Sequence, residues 1–308
     1  MMNRLISSFN LFGLCLTLTL LSLSSHAFEK DFFKRQLTLD FEWERKGRIL
    51  VPVTVHSFGQ QLFLFDSAAG GTTIYQDPAR LVGAERLIGK SQKILTSTGM
   101  ETASLYNIRK LSFGMRSQTY AGLPALREYS QRKEFGVLAL DLILWQVYEV
   151  SPKENKIHIY KYADHFAKKA EWVQLEKGTM AGNAVFVKLL FNDHLVEAMV
   201  DTGASTTILN RAAYEKIARP DEGRAKKYRK ITGSASSSVV GQEVLIDVSF
   251  HKELGTGVKD HKVLITDLPA FSALGLQDQP MILLGMDLLS SENFVLDMRH
   301  SRLFLRRK

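Results

Sequence analysis

Cysteine is almost absent. The 308 residues contain one, Cys15, and it lies in an apolar run at the amino terminus behind Leu14, a residue too large for a lipoprotein cleavage site. The rest of the chain therefore has no thiol, no disulfide and no cysteine metal site, so its stability must come from packing. Histidine is also sparse, with eight residues and no HExxH spacing or other ligand cluster, which leads us to expect no metal and no cofactor. Long hydrophobic runs are missing beyond Leu11 to Leu23, and that run falls short of the roughly 20 residues a spanning helix needs. Strong helical periodicity is scarce as well. What remains is a chain with 45% hydrophobic residues, enough apolar content for one large or two medium cores.

The first residues, Met1-Met2-Asn3-Arg4, then the apolar run, then Ser25-His26-Ala27, have the form of a secretory signal peptide cleaved after Ala27. Residues 1–27 are accordingly expected to be removed, leaving a periplasmic or secreted protein without a stable membrane span. The formal charge of +8 is spread along the chain, with "RAKKYRK" (224–230) and the terminal "RLFLRRK" as its clusters. Both read as solvated segments, and no nucleic-acid partner is expected. "AERLIGKS" (84–91) fits a permissive phosphate-loop pattern, but no apolar strand leads into it and no glycine-rich turn surrounds it, so it reads as a loop.

Short runs rich in Val, Ile, Leu and Phe recur with turn residues between them, the pattern of an all-β protein. Within that pattern lies a duplication. "RILVPVTVHSFGQQLFLF" before Asp66 aligns without a gap to "NAVFVKLLFNDHLVEAMV" before Asp201, and each reads as a β-hairpin, turning at "HSFG" and "FNDH". "VLALDLILWQVYEVSPKENKIHIY" (137–160) aligns to "LLGMDLLSSENFVLDMRHSRLFLR" (283–306). In these blocks Asp141 and Asp287 open a short helix, where an N-cap or first-turn carboxylate is expected. Between the blocks, residues near 95–103 and 232–240 form small polar turns flanked by strands, each able to fold over a cleft as a flap. Two tandem lobes follow, 28–165 and 166–308, with the charged stretch "KYADHFAKKAEW" at their junction as the linker, itself able to hold a helical turn.

The repeated loop suggests a chemistry. Asp201-Thr202-Gly203-Ala204-Ser205 offers a carboxylate, a hydroxyl that can tie the loop down, and small residues that let backbone N–H groups and another chain segment come close. Two such loops face to face would place two carboxylates where both cannot ionise cheaply, so that one proton is shared and water between them can attack a peptide carbonyl. The apolar pair before Asp, the Asp-Thr-Gly-Ala-Ser run, the flap segment and Leu283-Leu284-Gly285 resemble the retropepsin group of aspartic proteases. Neither flap turn has the tyrosine of pepsin-like enzymes, which favours the retropepsin branch.

The resemblance implies two β-barrel lobes with short helices and a cleft between them. It makes Asp66 and Asp201 the catalytic pair, with Ser67 and Thr202 bracing the loops and Gly203 and Ala204 allowing their approach. The implied substrate is an extended peptide. The first copy departs from the pattern: Ala68 replaces the glycine, Ala139 stands opposite Gly285, and Asp66 to Ile74 is one residue longer than Asp201 to Ile208. Two other readings therefore stay open: a non-catalytic protein that keeps the fold to bind peptides or a partner, and a homodimer in which second lobes pair.

Overall fold

The computed structural model describes residues 35–56, 58–127, 132–180, 182–218, 227–233, 237–250 and 257–307. The expected signal peptide, residues 224–226 of the basic cluster and residues 234–236 of the second flap lie outside the described residues.

The first half begins with β1 (Arg35–Asp40) and β2 (Glu42–Trp43), followed by the hairpin β3 (Ile49–Val55) and β4 (Gly59–Phe65). After β5 (Thr73–Tyr75) and α1 (Gln76–Leu81) come the long strands β6 (Glu85–Thr96), β7 (Gly99–Phe113) and β8 (Arg116–Leu126). The half closes with β9 (Gly136–Leu138), α2 (Leu140–Ile143), β10 (Val147–Ser151) and β11 (Lys156–Tyr160). At the junction lie α3 (Asp164–Ala167) and β12 (Trp172–Gln174).

The second half runs through β13 (Phe186–Phe191), β14 (His194–Val200), β15 (Ile208–Leu209), α4 (Arg211–Ile217), β16 (Lys227–Thr232), β17 (Ser238–Ser249) and β18 (Gly257–Ile265). It ends with α5 (Pro269–Ala273), β19 (Met281–Leu284), α6 (Met286–Leu289), β20 (Phe294–Asp297) and β21 (Arg302–Arg306).

Local chemistry explains the element ends. Asn192 and Asp193 take positive φ values of 45° and 65° in the β13–β14 turn, a conformation these two residue types tolerate better than most. The Asn210 side chain accepts a hydrogen bond from the Ala213 N–H and so caps α4. Pro269 stands at the start of α5, where its missing N–H costs nothing.

The mostly-β fold carries the duplication in its strand order. One sheet runs β2-β3-β4-β9-β5-β8-β7-β6 and the other β13-β14-β19-β15-β18-β17-β16, with extra pairings β3–β7 and β13–β17 closing the two alike. A third, six-stranded sheet runs β1-β11-β10-β20-β21-β12, so it takes three strands from the first half and three from the junction and second half. Its centre is the antiparallel β10–β20 pair, in which Val150 faces Phe294. The two halves are thus joined by backbone hydrogen bonds as well as by a tether. The main apolar cluster continues across them, including Val51 and Phe65 from one half and Val187, Val200 and Phe294 from the other.

Three readings of the sequence are corrected. "AERLIGKS" is the start of strand β6, because Glu85 to Ser91 pair along β7 around a bulge. The described part of "RAKKYRK", Lys227 to Lys230, is strand β16. The extra residue assigned to the first Asp loop does not exist. Thr73 pairs with Val137 as Ile208 pairs with Leu283, and Ile74 pairs with Gly136 as Leu209 pairs with Ile282. Matching the two isoleucines displaced the alignment by one, a slip that exchanges the faces of a strand.

Because one sheet ties the halves, they should unfold together. Phe294→Ala is expected to lower stability by roughly 3–5 kcal/mol in denaturant titration, with one transition reported by probes in either half. Separate transitions for the two halves would contradict this.

Candidate active site

Each Asp loop leaves the end of a buried strand. Phe65, at the end of β4, is fully buried and meets Tyr148 of the shared sheet edge-on at 5.2 Å, while Tyr148 donates to the Ile143 carbonyl at 3.0 Å. Val200 at the end of β14 is also fully buried. The following residues, Asp66 and Asp201, are delivered to one place at the junction of the halves, with their carboxyl groups hydrogen-bonded to each other.

Ser67 and Thr202 cross-link the loops reciprocally. The Ser67 N–H donates to Thr202 Oγ1 at 3.0 Å, and the Thr202 N–H donates to Ser67 Oγ at 3.1 Å. Each hydroxyl then donates to the backbone of the opposite half: Ser67 to the Val200 carbonyl at 2.8 Å and Thr202 to the Phe65 carbonyl at 2.7 Å. Both residues are fully buried, so each donor lost would leave an unpaired polar group.

Within each loop the carboxylate is held by its own backbone. Asp66 Oδ1 accepts from the N–H groups of Ala68 (2.9 Å) and Ala69 (2.8 Å), and Asp201 Oδ1 accepts from Gly203 (2.8 Å) and Ala204 (3.1 Å). Ala68 thus fills the backbone role of a glycine. Its methyl packs against the second-half cluster that includes Phe186, Met199 and Ile208. Position 203 has no such room, since a Cβ there would collide with the Asp66 carboxylate.

Asp141 and Asp287 stand in the first turns of α2 and α6, as one of the two expected placements had it, and not at the N-caps. The N-cap positions are Ala139 and Gly285, and neither makes a side-chain cap bond. The two carboxylates instead fasten the far ends of the Asp loops: Thr72 gives its N–H (3.0 Å) and its hydroxyl to Asp141, and Thr207 gives its N–H (2.9 Å) and hydroxyl (2.7 Å) to Asp287. A third donor completes each brace, Tyr120 hydroxyl to Asp141 at 2.7 Å and His261 Nε2 with Asp287 at 3.0 Å. No spacing in the sequence announces these partners; the repeated Thr six residues after each catalytic-loop Asp is the one signal that could have.

Burial raises both loop carboxyls above the ordinary Asp value of 3.8, and Asp201 is raised further because it also faces the charge of Asp66. Asp66 is held lower by two backbone N–H bonds, by its bond to Asp201 and by the Arg48 guanidinium. The pair therefore holds on to one shared proton, whose loss belongs to both carboxyls together. The two flaps meet tip to tip: the hydroxyls of Thr98 and Ser237 are 3.0 Å apart, and Gly233 comes so near Thr98 that a Cβ would lie 2.8 Å from its Oγ1. Among the described residues there is no group of three or more His, Cys, Asp and Glu able to hold a metal ion.

Two outcomes follow from this geometry. Thr202→Val removes one hydroxyl and strands the Ser67 N–H, and is expected to cost roughly 2–3 kcal/mol in denaturant titration; a loss below about 0.5 kcal/mol would contradict the brace. A carboxyl that binds its proton more tightly folded than unfolded favours the native state at low pH, and this advantage is lost as pH rises from about 4 through the raised value. Asp201→Asn, which stays neutral, should therefore melt above the parent at pH 7, with the gap closing towards pH 3. A gap that does not vary with pH would contradict the raised, shared proton.

No curated protein matches the chain. Residues 187–288, from strand β13 through helix α6, match the family model described as aspartyl protease. That segment holds Asp201, Thr202, Gly203, Thr207 and Gly285, and over it the chain is similar to retropepsin-like aspartyl proteases.

Proposed function

We propose that this protein is an exported aspartic endopeptidase that cleaves extended peptides with Asp66 as base and Asp201 as acid. The observation that carries the reading is the pair of reciprocal Ser67–Thr202 hydrogen bonds, which puts two raised carboxyls side by side in one chain. Asp66 takes a proton from water as the water oxygen bonds to the peptide carbonyl carbon, and Asp201 gives its proton to the carbonyl oxygen. Collapse of the tetrahedral species re-forms the carbonyl, breaks the C–N bond and passes a proton to the leaving nitrogen. No covalent enzyme intermediate is needed. An extended substrate suits the cleft because flap strands can pair with its backbone. Export is supported by the form of residues 1–27. Among the described residues no helix is long and apolar enough to cross a membrane.

The test is hydrolysis of a diverse peptide mixture by the full mature chain from pH 3 to 7. Asp66→Asn and Asp201→Asn should each lower kcat/KM at least about a hundredfold. The parent should show a bell-shaped pH profile whose alkaline limb marks loss of the Asp201 proton. Gly203→Ala should abolish cleavage by displacing Asp66, whereas Ala68→Gly should retain it. Specific activity should not rise with enzyme concentration, since the pair is built within one chain. Full activity in either Asn variant would refute the proposal, and peptide binding without hydrolysis by the parent would assign the fold to binding.

A further inference from the structure

The flaps carry a surface that cleavage of a peptide in the cleft does not require. Strands β6 and β16 are the outer strands of their sheets, and six of their 18 residues are Lys or Arg against 40 of 308 in the whole chain. The bases repeat across the duplication. Lys90 and Lys93 stand four and one residues before Ile94, and Lys227 and Lys230 stand at the same distances before Ile231.

Strand alternation sorts these residues into faces. Ile94 and Ile231 pack inward, Ile94 against the cluster of Tyr75, Ala103 and Leu126, and Ile231 against the cluster that also takes up Ala68 and Ala204. The flap acids share that inner side: Glu101 pairs across from Ile94, and Glu243 engages Lys227 and Arg229. Lys93 and Lys230, one residue away, are on the outer side, with no ion-pair partner among the described residues. Beside them on that side are exposed apolar side chains: Leu95 and Met100 on the first flap, 37% and 59% exposed, and Tyr228 and Val240 on the second, 59% and 61% exposed.

Lysine on an edge strand discourages pairing with other chains, but that role is undermined by large apolar neighbours left in water. Unpaired bases interleaved with aliphatic and aromatic side chains suit a surface that is itself anionic outside and apolar beneath. The flap tips touch, Thr98 against Ser237, which brings the two flaps together. We infer that the outer face of the closed flaps docks on an anionic lipid surface, with Lys93 and Lys230 at the headgroups and Leu95, Met100, Tyr228 and Val240 entering the interface.

Co-sedimentation of the full mature chain with vesicles tests this. Vesicles of phosphatidylcholine with a third phosphatidylglycerol should bind the protein at low salt, pure phosphatidylcholine should not, and added salt should weaken the binding. Each base near an anionic surface is worth roughly a fivefold factor, so Lys93→Glu with Lys230→Glu should weaken binding at least about tenfold. Lys93→Gln with Lys230→Gln should fall between, and Leu95→Ser with Val240→Ser should weaken binding without changing charge. Lys46→Glu with Lys153→Glu, an equal charge change elsewhere, should have little effect. Absence of binding to the anionic vesicles, or equal loss in the flap and control variants, overturns the inference. Flap-dependent binding to polyglutamate without binding to vesicles overturns it in favour of an acidic protein partner.

Discussion

Everything in this fold that bears on chemistry depends on two buried hydroxyls exchanging places. Ser67 and Thr202 each accept a hydrogen bond from the other's backbone and donate to a carbonyl beyond it. Charges this close, Asp201 buried and Asp66 half-buried, would separate if free to do so, since water offsets little of the repulsion between them. The cross-link removes that freedom. The remaining escape is chemical: the pair keeps a proton, and the proposed acid–base role rests on that constraint rather than on any unusual residue.

The larger architecture serves the same constraint at longer range. The β10–β20 pair fixes the two halves in one sheet, and Tyr148 of that sheet packs on Phe65, the residue before Asp66. At the far ends of the loops Asp141 and Asp287 hold Thr72 and Thr207. Each catalytic loop is thus tied at its start by strand packing, in its middle by the opposite loop and at its end by a carboxylate. The symmetry is broken in two chemically consequential ways. A methyl is accommodated at Ala68 but excluded at Gly203, and Arg48 acts on Asp66. Both differences give the two carboxyls unlike surroundings.

Much of this was legible in the amino-acid sequence because it rests on local pattern. The two hairpins, the Asp loops and the flap turns are written as alternating apolar runs and turn residues, and duplication shows which of them matter. The loop length was misread because Ile74 and Ile208 invite alignment, although strand pairing equates Ile74 with Leu209. The first-turn place of Asp141 and Asp287 was legible, but their bracing role was not, because their partners Tyr120 and His261 are brought near only by β8 and β18. The shared sheet was not foreseen: its central pair joins β10, near the middle of the chain, to β20, near its carboxyl end, and no local signal encodes such a register.

The central claim is that Asp66 and Asp201 form one titrating unit, and carboxyl-labelled aspartate followed by 13C NMR across pH measures it directly. Two signals should titrate together, with one proton retained well above the ordinary carboxylate range, and substitution of either residue by Asn should alter the other's titration. Two independent titrations near 3.8, each indifferent to the other residue, would contradict the account.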